Sequence, residues 1–94
     1  MKTPTQWADE RIRLAGEYAR MSEQLAEILE RYPAQWAILR SEVKSDTRAD
    51  RLWDMTPDGV EMMKLKMSMK SNDKMQSALS SRINVANNEA RHVF

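Results

Sequence analysis

MKLKMSMK, residues 63–70, alternates apolar and polar side chains as a strand wet on one face would. Its surroundings decide otherwise. Thr56, Pro57 and Asp58 ahead of it form a helix-start signal: a capping hydroxyl, a proline at the first helical position and a carboxylate at the positive helix end. Gly59 is a weak helix former, but it falls in the first turn, which tolerates it. From Met62, the positions Leu65, Met69, Asn72, Gln76, Leu79, Ile83, Ala86, Ala90 and Val93 recur at alternating spacings of three and four, the period of a helical stripe. Methionine favours helix over strand, and no turn residue bounds the stretch. The sequence therefore predicts a helix over residues 57–91.

Two features mark this helix. Asn72 and Gln76 occupy consecutive positions of its apolar seam, where Leu or Ile would be more stable. Polar groups at such positions fix register or oligomeric state. On the side opposite Leu65, the wheel places Val60, Met63 and Met67, with Lys66, Lys70 and Lys74 in a row at i+4 beside them. Methionine suits adaptable interfaces, and lysine stems cover apolar neighbours. Three readings follow for this candidate interface: packing between two neighbours inside the fold, self-association, or contact with another protein or a phosphate backbone.

The N-terminal half supplies the partner stripe. Thr3, Pro4 and Gln6 carry the capping-box pattern. Trp7, Arg11, Leu14, Tyr18, Met21, Leu25, Ile28 and Tyr32 then follow a heptad seam, with Asp9–Arg13 and Glu27–Arg31 as expected i,i+4 pairs. Pro33 lacks an N–H and disfavours a helical residue before it, so a kink or restart is expected there, between helices over 4–32 and 34–44. Trp36, Leu39 and Val43 resume the spacing with the phase slipped by one residue. Ser45 is the next cap, with Asp46 in its first turn; a short connector helix over 46–55 presents Ala49, Leu52 and Trp53 on one side.

Composition sets the outer bounds. Ninety-four residues form one domain, and a chain of this length buries only about two-thirds of its unfolded surface. Two Gly and three Pro among 94 residues suit a helix-rich chain. The chain has no cysteine, hence neither disulfide nor thiolate metal site, and the cytoplasm is the expected location. It has no apolar run of membrane-spanning length. A net charge of +1 suits neither a strongly acidic nucleic-acid mimic nor a generic basic nucleic-acid binder. No phosphate loop, nucleophile elbow or Ser/His/Asp arrangement occurs. His92, with Glu89 three residues before it, is the one i,i+3 metal-ligand pair to weigh, near a chain end that frays; an exposed terminal histidine is the favoured reading. The carboxylate dyads Asp9/Glu10 and Glu27/Glu30 sit beside arginines, as on a solvated helix face. Trp7, Trp36 and Trp53 read as core anchors rather than stacking platforms. No catalytic residue, cofactor or metal is expected.

Between Trp36 and Arg91, the run KSDTRADRLWDMTPDG (44–59), then KMQSALSSRI (74–83) and NNEARHVF (87–94) resembles small coiled-coil-like proteins of bacteriophages and prophages, of the kind found among recombination and early genes. The resemblance implies a phage-type accessory protein acting inside the host cell. It supplies no catalytic residue.

These readings combine into an all-α protein: a long antiparallel helical hairpin with a kinked N-terminal arm and a short connector helix. Two helices leave several apolar side chains uncovered, at about 1.5–3 kcal/mol each, so a helical-bundle homo-oligomer is expected, a dimer first. The expected function is non-enzymatic protein–protein interaction, as adaptor or inhibitor of a host or phage protein in recombination or defence evasion. The alternative is a nucleic-acid-associated factor using the lysine ridge with Arg82 and Arg91. No membrane partner is expected.

Overall fold

A computed structural model describes residues 3–93, apart from the side chains of Pro4 and residues 89–93. Its described residues form three helices, α1 (Pro4–Glu42), α2 (Asp46–Asp54) and α3 (Pro57–Val93), with no strand. Residues 63–70 are helix throughout. All three predicted starts are capped as their chemistry requires. Thr3 and Gln6 form a reciprocal capping box, Ser45 accepts from the Arg48 N–H, and Thr56 accepts from the Gly59 N–H.

The helices α1 and α3 run antiparallel as a rod of 69 × 20 × 18 Å. Pairing is fixed at two levels, with Arg31 against Asp58 near the connector and Leu14 against Asn72 towards the open end. Leu14, Met21 and Ile28 on α1, and Leu65, Asn72 and Leu79 on α3, form two heptad lines of which all but Met21 are buried. Met62, Met69, Gln76 and Ile83 flank the second line half-buried. Arg11 and Tyr18, assigned to the seam by spacing, are exposed, because a two-helix contact covers one narrow line and α1 has drifted round by those positions.

The helix restart expected at Pro33 does not occur. Instead of helices over 4–32 and 34–44, α1 is a single helix through Pro33, ending at Glu42. The proline leaves the Leu29 carbonyl without its helical partner on an exposed stretch, where water can serve it. On either side, Tyr32 and Trp36 pack against the cluster of Ile28, Trp53 and Leu65 and hold the helical path. Trp53 is buried in that cluster and meets Tyr32 edge-on at 4.8 Å between ring centroids. The phase slip at Trp36 has a structural use: Trp36 turns towards α2 and its indole donates to Asp50 (2.8 Å), while Gln35 serves α3.

The glycine near the start of α3 is required by this packing. Gly59 is buried beneath the end of α2, where a Cβ would run into the Trp53 carbonyl oxygen and lie 2.8 Å from Asp54 Cα. Only a residue without a side chain lets the two helices turn so tightly.

The expected surface ion pairs are also redistributed. Arg13 bonds Glu17 at 2.7 Å, with Glu10 at 3.8 Å, rather than Asp9. Arg31 reaches across to Asp58 with two bonds of 3.0 and 3.1 Å rather than to Glu27. Gln35 donates to the same carboxylate (2.9 Å) and accepts from the Trp53 indole (3.1 Å), so one hydrogen-bonded chain ties all three helices together.

Candidate functional site

The outer face of α3 lies directly behind the seam. A helix packed on one partner leaves the side about 180° away in water, and residues two before or two after a seam position fall there. Met63 and Met67 flank Leu65 in this way and are 58% and 66% exposed. They are not packed inside the chain. Val60 is half-buried, and Lys66, Lys70 and Lys74 are exposed.

The lysine row slants across the helix because each i+4 step advances 40° beyond a full turn. Lys74 therefore joins the methionines on the outer face, Lys70 stands beside them, and Lys66 turns towards the flank between the helices. Among the described residues, none of the three has a hydrogen bond or ion pair. Charge is unevenly shared between the arms. α3 has six Lys/Arg against four Asp/Glu, whereas α1 has five against seven. The outer face of α3 is thus cationic and apolar together.

The polar seam pair behaves differently. Asn72 is 3% exposed and donates from Nδ2 to the Leu14 carbonyl (2.9 Å), while Gln76 Nε2 donates to Asn72 Oδ1 (2.6 Å). Ser22 and Gln24 are the partners that equal arm lengths suggest. The bond instead goes to the backbone about two turns nearer the N-terminus, because the connector helix shifts the level at which the arms meet. Gln24 lines a groove of about 460 Å³ beside Asn72, shared with Glu17, Arg20, Ser68 and Ser71, so a water-accessible gap adjoins the pair.

Asp58 is an acid with a perturbed pKa. Its hydrogen bonds from Arg31 first, and Gln35 second, hold its pKa below the usual carboxylate range, and the same contact raises that of Arg31. The group is a clamp between helices. Glu89, Arg91 and His92, weighed for metal or phosphate contacts, have side chains outside the described residues. Among the described residues, no helix is long and apolar enough to cross a membrane.

Spacing placed Tyr18, Leu25, Tyr32 and Trp36 in the seam and missed that, with Leu29, they form a stripe to one side of it. Tyr18, Leu25, Leu29, Tyr32 and Trp36 share one flank of α1, with Met62 and Met69 across from it on α3. Its signal was present in Leu25, Ile28, Leu29 and Tyr32, an i, i+3, i+4, i+7 set wider than a two-stranded seam needs. No protein-family model matches the chain, no curated protein matches it, and no solved structure matches it.

Proposed function

We propose that the protein is a non-enzymatic interaction module whose outer α3 face docks an acidic, amphipathic helical segment of another protein, as a phage-type adaptor or inhibitor. The observation that carries this reading is the exposure of Met63 and Met67 (58% and 66%) beside lysines that have no partner among the described residues. Methionines adapt to a helix laid along them, and Lys70 and Lys74 select a segment edged with carboxylates. Such pairing gives on-rate and orientation, while the thioethers supply the desolvated centre.

The lysine row also supports a second reading, contact with a nucleic-acid backbone, in which Arg82 extends the ridge. The seven acidic residues of α1 oppose it.

Salt and substitution separate the two. Captured lysate proteins are compared between the wild type, Met63→Ser with Met67→Ser, and Lys70→Glu with Lys74→Glu. The docking reading expects a protein held at about 0.15 M salt, where charges are screened beyond about 8 Å, and lost from both variants. Capture indifferent to both variants would overturn it. DNA binding that falls steeply with salt and survives the methionine changes would favour the second reading.

A further inference from the structure

The flank of Tyr18, Leu25, Leu29, Tyr32 and Trp36 is covered along part of its length. At the connector end, α2 lies over it: Trp53 meets Tyr32, Asp50 accepts from Trp36, and Asp54 approaches Leu29 and Met62 across a shallow hollow. Beyond α2 the stripe continues without a third helix, leaving Leu29 49% and Tyr18 37% exposed, with Leu25, Met62 and Met69 half-buried. The opposite flank carries the ion pairs of Arg13 with Glu17 and Arg31 with Asp58, and its groove sets Met21 and the exposed Met75 among Glu17, Arg20, Gln24, Ser68 and Ser71.

The surface area points to what is missing. The chain exposes 7295 Å², whereas a compact protein of 11.0 kDa exposes about 5,600 Å². The excess of about 1,700 Å² per chain is spread over the faces of a rod of 69 × 20 × 18 Å; with about half of it on this flank, two chains pairing there would bury about 1,700 Å² together, the size of a specific interface.

We propose that the occupant is a second copy, laid antiparallel on this flank about a twofold axis beside Met69 and Tyr18. Asn72 sits opposite Leu14, so Met69, about one turn towards the connector, comes level with Tyr18 and marks the middle of the uncovered stretch. Such an axis sets α3 against α3 and α1 against α1, giving four helices in the centre, with the open end of each copy brought beside the α2 of the other. Charge complementarity fixes the register. Lys66 and Asp73 lie seven residues apart on the edge of this flank, exposed and unpaired among the described residues, and symmetrically about residues 69–70. The axis brings Lys66 of each copy to Asp73 of the other, twice. It also lays Leu25 and Leu29 on the hollow of Arg11, Ala15 and Ile83 in the second copy. The outer face with Met63 and Met67 stays uncovered, so this dimer stands or falls separately from the docking of an acidic helix there.

Sedimentation equilibrium and disulfide trapping test the arrangement. The wild type is expected to be dimeric at micromolar concentration. Tyr18→Glu with Leu29→Glu, both at exposed positions, weakens the dimer at least about a hundredfold with helical content unchanged. Lys66→Asp or Asp73→Lys alone weakens it about tenfold, and the two together restore it. In this cysteine-free chain, Met69→Cys crosslinks two copies under mild oxidation and Met63→Cys does so far more slowly. A wild-type monomer at micromolar concentration would overturn the proposal. So would a double charge swap no stronger than its single parts, or equal crosslinking at residues 63 and 69.

Discussion

The two ends of the rod are made from the same pair of helices but are held differently. At the connector end, nine residues of α2 provide a third wall, and Ile28, Trp53 and Leu65 form a cluster enclosed on all sides. Polar side chains there bridge separate helices, from Arg31 through Asp58 and Gln35 to Trp53, and from Trp36 to Asp50. At the open end, Leu14 and Leu79 are buried on a two-helix line, with a cross-helix hydrogen bond from Asn72 to the Leu14 carbonyl. A short helix bearing one tryptophan converts a marginal two-helix contact into a core. Where it stops, the same apolar stripe lies open.

The two glycines give the sharpest way to break this contrast. Gly59 lies under the end of α2, where an added methyl would collide with backbone that cannot step aside. Gly59→Ala is expected to destabilise the protein by about 1–3 kcal/mol, the usual range for overpacking. Gly16 belongs to the open end and is exposed within α1, where an added methyl would meet no atom within 4 Å. Gly16→Ala should stabilise by about 0.5–1 kcal/mol by restricting the unfolded chain. Chemical denaturation at one fixed protein concentration measures both. Equal signs would mean that the connector end is no tighter than the rest.

How much of this was legible from the residues follows the same division. Caps at Thr3, Ser45 and Thr56 are local chemistry, and each starts a helix as expected. The α3 stripe was legible because a heptad line on a straight helix needs no knowledge of its partner. Asn72 fell on that line and is buried. What stayed hidden depends on the third helix. The sequence near Pro33 reads as a break, yet Tyr32 and Trp36 gain enough from α2 to keep the helix going. The partners of Arg31 and Asn72 depend on where the arms meet, which the connector sets. At the candidate site, residue types and the outer position of Met63 and Met67 were readable; that Lys66 turns towards the flank needed the slant of the i+4 row.

The polar seam pair tests whether the open end sacrifices stability for register. Asn72→Leu with Gln76→Leu replaces a buried hydrogen bond by apolar contact on the Leu14–Leu79 line. Leu14 keeps its place in the α1 hydrogen-bond ladder, so no buried acceptor is stranded. A gain of about 1 kcal/mol, seen as a rise of about 4–8 °C in Tm, is expected. Light scattering should then find several oligomeric states, because the apolar line no longer favours one alignment. A lower Tm would show that the bond to Leu14 stabilises the open end outright.

The smallest expected effect concerns acid, and it should separate the ends. Asp58 has a folded pKa below the ordinary value of 3.8 because Arg31 and Gln35 donate to its charged form. Its contribution is therefore complete above that value and is lost as pH falls through the lower folded one. Arg31 is raised above its ordinary value by the same contact and stays charged throughout, so protonation of Asp58 alone opens the contact. Gln35 then loses one of its two partners, the other being the Trp53 indole. With Trp7 and Trp36 replaced by Phe, Trp53 fluorescence should shift below about pH 4, and Asp58→Asn should remove that shift. Trp7, which packs near Arg82 and Val85 at the open end, should show no such step in a variant where it is the sole tryptophan. A matching step at Trp7 would mean that acid loosens the whole rod together, and the two ends would then be one cooperative unit rather than two.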